Sequence, residues 1–113
     1  MSYKVNYLSL RDQVLDIGGY VADHNMVGYC VKKKDVICIK PSLPWKLKLF
    51  VLAHECGHLY RYKDGQLLNT LQVSSEKRAH NRARAILESI DEDLIPEYVS
   101  YWNKSVDKNK VLA

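Results

Sequence analysis

Residues 44–62 read PWKLKLFVLAHECGHLYRY. Pro44 suits the first turn of a helix, where a backbone N–H is not needed. Leu47, Leu49, Phe50, Val51, Leu52 and Ala53 follow with little polar interruption. A helix that is apolar on nearly every side is a central one, buried by its neighbours. The pattern predicts a helix from about Pro44 to Tyr62, ended by Asp64-Gly65, as the middle of the fold.

Inside that helix stand His54, Glu55, Cys56, Gly57 and His58. Positions i and i+4 of a helix lie one turn apart on the same face. His54 and His58 can therefore meet one metal ion, and zinc accepts imidazole nitrogens at about 2.0–2.1 Å in tetrahedral geometry. Glu55 is offset by one residue, at the edge of such a site. A general base stands there to take a proton from water activated by the metal. Two histidines and a glutamate in an apolar helix would cost several kcal/mol without partners, and a metal removes that difficulty. The bland alternative is a pair of core histidines satisfied by backbone carbonyls, with Glu55 on a solvated face. Cys56, about 100° around the helix from Glu55, reads as a small core residue.

A catalytic zinc has three protein ligands and one open position. Downstream candidates are Asp64, Glu76, His80 and Glu88. Glu76 is preferred. It follows His58 by enough residues for a connector and a returning antiparallel helix. It also shares a face with Ala79 and Ala83, whose small side chains would let the two helices approach closely. The competing reading makes Glu76 a helix-capping carboxylate after Ser74 and Ser75. His80, one turn beyond Glu76, has three open roles: third ligand, partner of a ligand, or donor to an oxyanion. One of the tyrosines Tyr60, Tyr62, Tyr98 and Tyr101 could also donate there. Nothing in the sequence selects which.

The rest of the chain supplies the frame. Val5, Leu8, Val14, Leu15 and Ile17 give residues 3–17 a helical spacing, stopped by Gly18-Gly19. Residues 20–31 and 36–40 (YVADHNMVGYCV and VICIK) flank Lys32-Lys33-Lys34-Asp35 and predict an antiparallel hairpin. Residues 66–74 read as a connector. A helix is expected over Ser75 to Ile90, with Ala79, Ala83, Ile86 and Ile90 on its apolar face. Asp91 to Asp93 and Pro96 mark a break. A short amphipathic helix with Leu94, Ile95, Val99 and Trp102 follows, then a frayed tail from Lys104.

The stretch Phe50-Val-Leu-Ala-His54-Glu-Cys-Gly-His58-Leu, followed by Glu76-Lys-Arg-Ala79-His-Asn-Arg-Ala83, resembles the ImmA/IrrE-type metallopeptidases. Their pattern is an Ala-His-Glu-x-Gly-His helix and then a Glu-x-x-Ala helix whose glutamate completes the zinc site. The resemblance covers residues 36–90. The chain departs from it at Arg82, where members carry an aromatic residue, and at Ile86-Leu87-Glu88, which shortens the family's continuation. The resemblance implies His54, His58 and Glu76 as ligands of Zn2+ and Glu55 as base. Members accompany phage or mobile-element regulators and cleave repressor-type proteins, or act in stress responses. It thus implies a protein or peptide substrate, a transcriptional regulator among them.

The joint expectation is an α+β fold in one domain over residues 1–113. A small antiparallel sheet would pack on a zincin-like pair of helices, one with His54 and His58 and the other with Glu76. The activity expected is hydrolysis of peptide bonds, with the strand Val36 to Lys40 holding an extended substrate as an added strand. The rival expectation is a zincin-like module without activity that sequesters a regulator.

The bulk properties agree with this. The chain has 113 residues, a net charge of +4 and 27% charged residues. That size and polarity suit one ordinary core. Lys77, Arg78, Arg82 and Arg84 spread around their helix and read as a solvated surface, not a nucleic-acid face. Three cysteines without a CxxC argue against a disulfide framework and for a reducing compartment. The first residues carry no apolar signal region. The longest apolar run, Leu49 to Ala53, is far too short to span a bilayer. A cytoplasmic location is expected.

Overall fold

The computed structural model describes residues 2–23, 28–31, 36–63 and 72–108. They form four helices and a three-stranded sheet in an α+β arrangement. Helix α1 spans Tyr3–Asp16. Ser2 caps it, its hydroxyl accepting from the Val5 N–H at 3.2 Å. At the other end Gly18 takes φ +84°. The left-handed turn lets Gly18 and Gly19 donate to the Leu15 and Val14 carbonyls at 3.0 and 2.8 Å, which satisfies carbonyls the helix leaves open.

Strands β1 (Tyr20–Asp23), β2 (Gly28–Val31) and β3 (Val36–Ile39) lie in the order β1-β3-β2. β2 pairs antiparallel with β3, from Gly28 opposite Ile39 to Val31 opposite Val36. β1 runs parallel to β3 along its other edge, from Tyr20 opposite Val36 to Asp23 opposite Ile39. The sheet is therefore mixed, and the expected all-antiparallel sheet is corrected. Ile37, Cys38 and Ile39 are consecutive and all buried. Successive residues of a strand point to opposite faces, so β3 is covered on both faces. It is also paired along both edges, with β1 and β2. β3 therefore has no edge on which to add a substrate strand, and that expectation is overturned too.

Helix α2 spans Trp45–Lys63 and is the centre of the molecule. It packs against α1, β2, β3 and α3, as its all-round apolarity requires. Leu49, Phe50, Leu52, Ala53, Cys56 and Leu59 are almost wholly buried. Tyr7 of α1 meets Trp45 at 5.6 Å between ring centroids, and Lys48 lies 4.3 Å over the Trp45 ring.

Helix α3 spans Gln72–Ile90 and starts a few residues ahead of the position expected from Ser74-Ser75. Asp91 makes the turn, its side chain accepting from the Asp93 N–H at 2.9 Å. Helix α4, Leu94–Lys108, then takes Pro96 into its first turn. It is longer than the short helix expected and continues through residues 104–108, expected to fray. Lys46 and Glu97 form an ion pair between α2 and α4. Among the described residues no helix is long and apolar enough to cross a membrane.

Candidate metal centre

Helix α2 carries His54, Glu55 and His58 in one stretch. The two imidazoles approach with ring centroids 5.1 Å apart, close to perpendicular at 83°. His58 is buried, and His54 keeps part of its surface open. A pair of this kind suits a metal reached from one side. Glu55 is only 8% exposed, so it does not lie on a solvated helix face. Its neighbour across α2 is the start of β2. A Cβ built on Gly28 would stand 3.6 Å from Glu55 Cγ and would collide with the Val51 side chain. The glycine lets strand β2 lie directly over this part of the helix. Cys56 is fully buried in the core, as expected.

Helix α3 meets α2 within the motif itself. A Cβ added to Gly57 would sit 2.9 Å from the Ala79 Cα and closer still to the Ala79 carbonyl oxygen. Ala79 and Ala83 are both fully buried. The small residues do bring the two backbones together. Glu76 belongs to α3, one turn before Ala79; its side chain lies outside the described residues, as do Asp64 and His24. Glu88 is exposed, three turns along α3 from Glu76. Among the described residues no three His, Cys, Asp or Glu side chains group closely enough to hold a metal ion. Two of the proposed ligands are thus placed side by side, on a helix in close contact with the helix that carries the third.

Tyr98 of α4 completes the cluster. Its ring is fully buried and packs edge-on to Phe50 at 5.7 Å. Its hydroxyl lies 3.1 Å from His54 Nδ1 and 3.3 Å from His80 Nδ1. His80 is further enclosed by Trp102, with ring centroids 4.2 Å apart. Burial lowers the His80 pKa to about 4, helped by the charges of His54 and Arg84. The ring is therefore a neutral imidazole at ordinary pH. The sequence offered Tyr98 as one of four tyrosines. Leu94, Tyr98 and Tyr101 fall at i, i+4 and i+7 of an amphipathic helix, which puts Tyr98 and Tyr101 on one face without choosing between them.

Of the basic residues of α3, Lys77, Arg78 and Arg84 are exposed, whereas Arg82 is half-buried. Lys32, Lys33 and Lys34 lie outside the described residues. No family model, curated protein or solved structure matches the chain.

Proposed function

We propose that the chain is a zinc-dependent peptidase of minimal, zincin-like build, with His54, His58 and Glu76 as ligands and Glu55 as general base. The observation that carries this reading is the convergence of His54 and His58 at the point where Gly57 meets Ala79. A helix crossing that close is needed if a side chain one turn along α3 is to join two histidines of α2. The donors also fit the ion. His54 Nδ1 lies 3.1 Å from the Tyr98 hydroxyl. Ligating histidines commonly engage a neighbouring polar group through one ring nitrogen.

Zinc bound there supplies a Lewis acid that polarises the scissile carbonyl and acidifies water to a pKa of about 7. The remaining work falls to the chain. Glu55 takes one proton from the attacking water as the new C–O bond forms. It returns that proton to the departing amine as the C–N bond breaks. Glu55 is buried beside the start of β2. Among the described residues β2 is paired on one side only, with β3. Its open side is where an extended peptide would add as a further strand within reach of Glu55. The substrate is a protein segment, a transcriptional regulator being the class suggested by the sequence resemblance.

The test is metal content. Protein purified without chelator should hold about one zinc per chain, as a single three-ligand site would. A protein that comes free of metal and takes up none when zinc is added would remove the basis of this reading. An occupied site with no cleavage of any regulator, but with a stable complex to one, would favour the sequestering module.

A further inference from the structure

Away from the metal centre, two cations share one exposed ring. Trp45, the first residue of α2, is 39% exposed. Lys48 Nζ lies 4.3 Å and Lys4 Nζ 5.5 Å from the centroid of its ring. Lys48 belongs to α2 and Lys4 to α1, so the packing of the two helices brings both ammonium groups to the indole. Tyr7 adds a second ring, 5.6 Å from Trp45 and 5.9 Å from Lys48 Nζ. Arg11 is exposed on the same face of α1 as Lys4, two turns further on. Among the described residues neither Lys4 nor Lys48 has a carboxylate within ion-pair distance, whereas the neighbouring Lys46 pairs with Glu97. The first turn of α2 holds no acidic residue, and its dipole adds to the positive field there.

We propose that this surface binds single-stranded nucleic acid, with Lys4, Lys48 and Arg11 on phosphates and Trp45 stacked on an unpaired base. Cations that track a backbone beside an aromatic platform are the pattern of such surfaces. Contacts between a cation and an exposed ring are weak. A lysine can therefore leave the indole for a phosphate, and a base takes its place on the ring. The exposed indole decides between polyanions. The carboxylates of an acidic peptide would engage the lysines and leave the ring without a matching group, whereas a nucleotide has a flat base as well as a charge. A duplex keeps its bases stacked on one another, out of reach of a side chain on a protein surface. Trp45 precedes His54 by nine residues of α2, about 14 Å at the rise of a helix. The surface is thus apart from the metal centre and does not depend on it.

The test uses the full chain and a labelled oligothymidylate of about 20 nucleotides, longer than one site of this kind. Anisotropy reads binding, and indole fluorescence reads stacking. Wild type should bind at low salt with quenching of the indole. A single strand loses affinity with a slope of about −0.7 per phosphate neutralised, so three cations predict a roughly 20-fold loss between about 50 and 200 mM salt. Lys4→Gln with Lys48→Gln should weaken binding and lower that slope by about 1.4. Trp45→Leu should remove the quenching and weaken binding by about 5–150-fold, the scale of one stacked base. Neither lysine is part of the core, so the lysine variant decides the matter should Trp45→Leu fold poorly. No binding at low salt, or affinity unchanged in the lysine variant, would overturn the proposal. Equal binding of a duplex of the same length would overturn the stacking on which it rests. A polyglutamate peptide that displaces the oligonucleotide at equal charge would assign the surface to an acidic protein partner instead. Zinc enters none of these readouts, so the peptidase reading stands or falls separately.

Discussion

Gly57 of α2 lies against the backbone of Ala79 in α3, so close that any side chain at position 57 would meet main-chain atoms. Main chain cannot swing aside as the tip of a flexible side chain can. In an open helix Gly→Ala gains up to about 1 kcal/mol from backbone entropy. Here the collision outweighs that gain. Gly57→Ala should lower stability by about 1–3 kcal/mol, the range of an overpacked core. It should also weaken zinc uptake by forcing α3 away from His54 and His58. Urea denaturation and a competitive zinc titration would check both effects. An unchanged urea midpoint would mean the helices are not in this contact.

The metal-free protein should lose stability in acid through His80. Its pKa falls to about 4 in the fold, against 6.5 for a free imidazole. Between those values the unfolded chain binds a proton that the folded one refuses. The linkage makes stability fall as pH drops from about 6.5 towards 4. Below about 4 this group adds no further loss. Allowing for the water that still reaches the ring, the change is on the order of 2 kcal/mol. Urea midpoints across that range would show it, and His80→Gln should flatten the slope. A slope that persists in the variant would assign the effect to other groups.

Much of this arrangement is legible in the sequence, because it follows from local pattern. The all-round apolarity of Leu49 to Ala53 predicts a central α2. The i, i+4 spacing predicts that His54 and His58 converge, and Ala79 and Ala83 predict a close crossing by α3. The parallel pairing of β1 with β3 was not legible, since strand direction is set by partners distant in sequence. The apolar run Ile37-Cys38-Ile39 implies cover on both faces of β3 but not the direction of its neighbours. Tyr98 was hidden for a similar reason. Its hydroxyl gains its role from His54, 44 residues before it, and from His80, 18 residues before it. No spacing rule within α4 encodes that meeting. On the proposed reading the mixed sheet moves the substrate strand from β3 to β2, which among the described residues is paired on one side only.

Glu76 and His80 can be told apart by metal retention. Glu76→Ala removes a proposed ligand and should abolish tight binding. His80→Ala removes a group that shares the Tyr98 hydroxyl with the proposed ligand His54. Losses of that indirect kind are about 10–100-fold in affinity. Zinc titration of the two variants against a competing chelator would rank them. If Glu76→Ala binds like wild type while His80→Ala does not, the assignment of the third ligand must be reversed.

Glu55→Gln should separate metal binding from catalysis. Glutamine matches glutamate in shape, and the position is buried beside β2, so packing should survive. Glu55 is not one of the proposed ligands, so zinc content and thermal stability should stay near wild type. What glutamine cannot do at neutral pH is accept a proton from water. Cleavage should therefore fall by a factor of roughly 10² or more, the scale of a positioned general base. The measurement needs a substrate, which incubation of wild type with host or phage transcriptional regulators would supply, fragments being compared with those from the variant. Equal cleavage by both would show that another group takes the proton and that the mechanism is wrong. Cleavage by wild type alone, at equal zinc content, would place Glu55 at the reacting water, because a loss of fold or of metal could not produce that difference.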